Sequence, residues 1–186
     1  MPDRQKRREA HRERAQRDLQ RYGGKILRSE EMRRAFRQKH HNLSTVGEHT
    51  MHVALASLSL CYALRRLHIA ADIPAVVTGS LCHDLGILGR EEKYASKGEC
   101  LRRHAADSVE TARKLVGELP DKTADTISRH MWPFAGNKTP NSLEAAIVST
   151  ADKIATLEDY AAAIRRKAAG VPRALRERPE RKERGK

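Results

Sequence analysis

His83 and Asp84, in the run LCHDLGILG (81–89), put an imidazole and a carboxylate side by side at the end of an apolar helical stretch. Such a pair is either a helix end that happens to be polar or half of a metal site, and the rest of the chain decides between them. His49, His104, His130 and Asp152 each fall on the apolar face of a separate helical pattern, so five segments send one or two ionisable groups inward. Burying an unpaired imidazole or carboxylate costs on the order of several kcal/mol, and six such groups on apolar faces need a shared partner. A divalent cation supplies it. Imidazole and carboxylate donors without thiolate point to iron, manganese or zinc rather than calcium or an iron–sulfur cluster.

The elements that position these groups are helices. Thr45 and Glu48, three apart, form a capping box that starts a helix over 45–67 with His49 in its first turn, on a face shared with Val53, Leu60, Leu64 and Leu67. A second helix over 73–84 opens with Pro74 and stops at Gly86, leaving His83 and Asp84 in its last turn. A third over 98–119 aligns Leu101, His104, Ala105, Ser108, Ala112 and Leu115. A fourth over 121–134 places Ala124, Ile127 and His130 on one stripe and is ended by Pro133. The fifth, over 141–167, carries a capping signature at Asn141 and Glu144 and turns Ala145, Val148, Asp152 and Ala155 inward. No alternating segment is long enough to demand a sheet, so the expected fold class is all-α.

With 186 residues the chain suits one main core. Residues 1–24 read as a basic, helical N-terminal extension broken by Gly23-Gly24, residues 25–168 as the domain, and residues 169–186 as a basic, disordered tail. The net charge of +13 belongs to the ends: residues 1–40 hold fourteen Lys/Arg against six Asp/Glu, residues 165–186 hold ten against three, and the middle is slightly acidic. Basic arms of this kind attract polyanions such as nucleic acid, although no aromatic residues are interleaved for base stacking. Three cysteines, Cys61, Cys82 and Cys100, match no CxxC spacing and suit a reducing compartment. No signal-like or membrane-spanning apolar segment occurs, so the expected location is the cytoplasm.

At His49, His83-Asp84 and Asp152 the chain resembles the H…HD…D pattern of the HD superfamily of metal-dependent phosphohydrolases. The segments STVGEHTMHVA, LCHDLG, HMWP and EAAIVSTADK are similar to those of small bacterial HD-domain proteins, over roughly residues 28–162. The resemblance implies an HD-domain helical bundle in which His49, His83, Asp84 and Asp152 bind one metal, while Asp84 bridges to a second held by His104 and His130. It also implies hydrolysis of a phosphomonoester or phosphodiester, on a nucleotide-like substrate, with Asp84 and His83 beside the attacking water. Lys153, His41 and Trp132 are candidates to meet that substrate, and His40 and His52 read as surface residues.

The chain departs from several of the superfamily's patterns: the absent acidic residue, the absent GYP motif and a context around the His-Asp pair unlike that of the ppGpp hydrolases bear on the substrate, and Met131 bears on the second metal's coordination. Gly86, Ile87, Leu88 and Gly89 follow the His-Asp pair where the superfamily's five-prime nucleotidases place an acidic residue, with Glu91 and Glu92 only beyond. Met131 follows His130 where the dinuclear cyclic-dinucleotide phosphodiesterases have a second histidine, and their GYP motif is missing. Two alternatives stay open: a di-iron oxygenase built on the same donor set, and a non-catalytic module whose metals staple the helices while the basic arms bind nucleic acid.

Overall fold

The computed structural model describes residues 2–40, 44–134 and 136–168. His41 and the tail 169–186 lie outside the described residues. Eight helices make up most of what is described: α1 (Pro2–Leu27), α2 (Glu30–Arg37), α3 (Val46–Arg65), α4 (Ile73–Cys82), α5 (Arg90–Lys93), α6 (Lys97–Val116), α7 (Asp121–Ser128) and α8 (Leu143–Ala168). The fold is the expected all-helical one. Among the described residues no helix is long and apolar enough to cross a membrane.

Helix α3 is the central element, packed against α8 on one side and α4 on the other. Its start is set by the capping box: Thr45 Oγ1 accepts from the Glu48 amide at 3.1 Å and Glu48 Oε2 accepts from the Thr45 amide at 2.7 Å. That register buries His49, Val53, Ala54, Ser57, Leu58 and Cys61 together, whereas Leu67, expected on the same face, lies beyond the helix end and is exposed. Helix α4 starts at Asp72, whose Oδ1 accepts from the Ala75 amide at 3.1 Å, and buries Val76, Val77 and Leu81.

Besides the helices, Lys39–His40 (β1) and Ser44–Thr45 (β2) pair antiparallel just before α3, a ribbon too short to alter the fold class. Several expectations are corrected. The glycine pair Gly23-Gly24 does not break α1, which runs through it. A Cβ on Gly23 would lie 2.3 Å from Leu81 Cδ1, so the glycine lets α1 lie directly against α4. Ala15, Leu19 and Ile26 are buried in the core by that packing, which makes α1 an integral helix, and the expected boundary at residue 24 falls inside it. Helix α7 stops at Ser128 rather than near Pro133, so His130 sits in the following turn. Helix α8 is capped by Ser142, whose Oγ accepts from the Ala145 amide at 3.1 Å, not by Asn141. Glu144 instead reaches the Asp72 amide at 2.8 Å, tying the starts of α8 and α4 together. Leu101, expected inward on α6, is 47% exposed.

Candidate metal centre

Six side chains from five segments meet in the middle of this bundle. His49 comes from the first turn of α3, His83 and Asp84 from the end of α4, His104 from α6, His130 from the turn after α7, and Asp152 from α8. All six are buried. The Asp84 carboxylate stands between two sets of imidazoles. Its Oδ1 lies 3.5 Å from both His104 Nε2 and His130 Nε2, and its Oδ2 lies 3.6 Å from His83 Nε2. On the latter side His49 Nε2 is 3.0 Å from Asp152 Oδ1, which is 3.9 Å from His83 Nε2. Two triads therefore bring one donor atom per residue within 4.8 Å of one another, His49/His83/Asp152 and Asp84/His104/His130.

The ring orientations say what these donors need. His83 Nδ1 is 2.8 Å from the Ser80 carbonyl, His104 Nδ1 is 2.9 Å from that of Cys100, and His130 Nδ1 is 2.7 Å from that of Ile127. A carbonyl only accepts, so each Nδ1 carries the proton, and each neutral ring presents an Nε2 lone pair to the centre. His83 Nε2 is buried with no hydrogen-bond partner among the described residues. His104 Nε2 and His130 Nε2 face each other at 3.1 Å, two lone pairs that repel unless something positive lies between them. A divalent cation answers both demands, and the donor set fits one.

The protonation pattern agrees. Burial pushes the His83 pKa down to about 4 and lowers that of His104. Burial raises the Asp84 pKa, but the histidines packed around it, His83 foremost, outweigh it and hold the carboxyl well below its usual range. Asp152 is lowered in the same way, with burial opposed chiefly by the hydrogen bond from His49. For His49 burial lowers the pKa, but the bond to Asp152 and the surrounding carboxylates raise it above its ordinary value. Neutral imidazoles and ionised carboxylates are the forms that ligate metal, so His83, His104, Asp84 and Asp152 stand ready, whereas His49 has to give up a proton.

Two residues at this centre are missed by sequence reasoning. His40, read as a surface residue, is buried on β1 with Nε2 3.7 Å from Asp84 Oδ2, and it forms a third possible donor group with His49 and Asp84. Its pairing with Ser44 on β2 accompanies the inward placement, a pairing too short to leave a periodic signal. Asp159, two turns beyond Asp152 on the same face of α8, lies with Oδ2 3.4 Å from His49 Nδ1. It also accepts from Ser44 Oγ at 3.1 Å and stands 3.1 Å from His52 Nδ1. Its spacing of seven from Asp152 on the inward stripe is the available clue. His52 is half exposed, as expected.

The candidate substrate residues fare differently. Lys153 is turned toward the centre: its Nζ donates to the His130 carbonyl and to Asp152 Oδ2, the latter at 3.0 Å, and lies 5.8 Å from the Phe134 ring centre. Trp132 is exposed on the loop after His130, and its carbonyl accepts from Ser149 Oγ at 2.8 Å.

The loop that carries Asp84 is fixed from two sides. A Cβ on Gly86 would lie 2.2 Å from the His104 carbonyl oxygen, so only glycine lets this loop lie against α6. The Gly86 amide donates to Ser108 Oγ at 2.8 Å, and its carbonyl accepts from Lys93 Nζ and Tyr94 Oη, each at 3.0 Å. Gln38 closes the other side, donating to the Ile87 carbonyl and accepting from the Gly89 amide, both at 2.8 Å.

A helical bundle holding a buried histidine–aspartate cluster that can accept a divalent metal is the class of protein these observations define. The HD domain family model matches residues 46–157, more than half the chain, and the chain belongs to the HD domain family, in which metal-dependent phosphohydrolases are typical. No curated protein and no solved structure gives a significant match.

Proposed function

We propose that the protein is a metal-dependent phosphohydrolase that cleaves a phosphomonoester or phosphodiester of a nucleotide-like substrate at a dinuclear site. The observation that carries this reading is the placement of Asp84, with one carboxylate oxygen facing His104 and His130 and the other facing His83. That is the disposition of a bridging ligand. His49, His83 and Asp152 complete one side, with His40 beside them, and His104 and His130 complete the other. The chemistry that two divalent ions supply when bound is polarisation of a phosphoryl oxygen and lowering of the pKa of a water.

The residues do the rest. Their rings are held by main-chain carbonyls, so the donor geometry is set before substrate arrives. The side chains of Asp84 and Asp152 keep 8% and 11% of their surface accessible while His83 is sealed, so the carboxylate side of the centre is the side open to solvent. Lys153, anchored beside Asp152, places a positive charge at that rim for a substrate phosphate.

The test is metal analysis beside a phosphatase and phosphodiesterase screen with manganese. Wild type is expected to hold two ions per chain, His130→Ala one, and Asp84→Ala neither, with hydrolysis falling at least about 100-fold in both variants. An unchanged metal content in Asp84→Ala would overturn the assignment.

A second reading attaches to α1. Its apolar side is consumed by the core, while Lys6, Arg17 and Arg21 share the opposite, exposed side. Such a stripe suits a nucleic-acid backbone rather than insertion into lipid. Reversing Arg17 and Arg21 to Glu is expected to weaken oligonucleotide binding and flatten its salt dependence by about one unit of slope for each phosphate no longer neutralised. An unaltered slope removes this role.

A further inference from the structure

Helix α8 does not use its whole circumference. Ala151, Ala155 and Asp159 face the core, and on the opposite side Ile154, Leu157, Ala161 and Ile164 follow one another at spacings of three, four and three. Leu157 and Ile164 are 69% and 67% exposed, and Leu55 of α3 extends the apolar surface sideways. Single exposed apolar residues are ordinary, but an aligned seam with heptad spacing is the pattern of a helix that packs on another helix.

Charge identifies the occupant. Glu158 and Arg165, seven apart, border the same edge of the seam, and among the described residues neither makes an ion pair within the chain. If a second α8 is laid antiparallel across a twofold axis near Ala161, Glu158 of each copy falls opposite Arg165 of the other, giving two identical pairs. A parallel pair would have to join Glu158 to Lys153, and that ammonium is turned away from the seam, toward Asp152 and the His130 carbonyl. The chain's own residues 169–186 do not suit the seam, being dominated by Lys and Arg with few apolar side chains.

We infer that the protein forms a twofold dimer through antiparallel packing of α8 on α8, along Leu157, Ala161 and Ile164, with reciprocal Glu158–Arg165 pairs. An isologous interface closes on itself, so assembly stops at two. The seam is short, roughly 15 Å at 1.5 Å per residue, which places the interface at the small, weak end and the dissociation constant in the micromolar range.

Sedimentation velocity on the full chain from about 5 to 500 μM tests this. Wild type should move from monomer to dimer and no further. Leu157→Asp should remain monomeric with an unchanged circular-dichroism spectrum, since that side chain is exposed in one copy. Glu158→Arg and Arg165→Glu should each weaken dimerisation about tenfold or more, whereas mixing the two variants should restore it, because only the mixed pair places opposite charges together. A monomer at every concentration, growth beyond a dimer, or a mixture no tighter than its components would overturn the proposal.

Discussion

Asp159→Asn is the most informative perturbation of the centre, because Asp159 touches the site only through His49. In the metal-free protein the His49 ring lies between two carboxylates, Asp152 at Nε2 and Asp159 at Nδ1, at 3.0 and 3.4 Å. Metal binding there needs the Nε2 proton to leave while the Nδ1 proton stays, and the Asp159 charge is what keeps it. The amide has nearly the same shape but one acceptor instead of two. It cannot accept from both His52 and Ser44, as the carboxylate is placed to do, and it removes the negative charge 3.4 Å from His49 Nδ1. Loss of a carboxylate that orients a ligating histidine weakens metal affinity about 10- to 100-fold, or roughly 1.4 to 2.7 kcal/mol. The assay is competition titration of stripped protein with manganese or zinc and a chromophoric chelator. One class of site should weaken by that factor, with the His104/His130 side unmoved. Equal affinity in both proteins, or equal weakening on both sides, refutes the reasoning.

Alanine at Gly86 puts a methyl group into the backbone of α6, where nothing flexible can yield; a cost of about 3 kcal/mol is expected, read as a lower denaturant midpoint together with weaker metal binding. Gly23→Ala, despite a gain in helix propensity of about 1 kcal/mol, should still destabilise through its collision with buried Leu81, and stabilisation in urea titration would show that α1 is only loosely attached. The metal-free fold should lose stability as pH falls from 6.5 toward 4. Folded His83, with its pKa pushed down to about 4, stays neutral there while its unfolded counterpart takes up a proton, a contribution of about 3 kcal/mol at 1.36 kcal/mol per unit. His104 acts in the same direction and His49, whose pKa is raised, in the opposite one; a midpoint in urea that is flat or rising on acidification refutes the assignment.

What the sequence reveals and what it conceals divide along a physical line. The inward aim of His49 follows from Thr45 and Glu48, because a cap fixes the rotational register of every residue after it. His104 and Asp152 follow from the same periodicity. His40 does not, since its burial depends on a two-residue ribbon and on Asp84, forty-odd residues away, neither of which leaves a local pattern. Gly23-Gly24 misleads for a related reason: in isolation two glycines weaken a helix, and only the nearness of Leu81 turns one of them into a packing surface. Pro133 reads as the stop for the fourth helix, but the chain leaves helical geometry at Ser128, which is what lets His130 Nδ1 fold back onto the Ile127 carbonyl.

That last hydrogen bond has a counterpart at His83 and His104, whose rings are likewise steered by a carbonyl three or four positions earlier. These three histidines carry their aiming device within a single turn of their own backbone, so each is oriented as soon as its segment folds. His49 takes its bearing from residues more than a hundred positions downstream. The centre thus has a half whose rings are aimed locally and a half that is finished only when the last helix docks, and arrival of that helix is the event that completes the cluster.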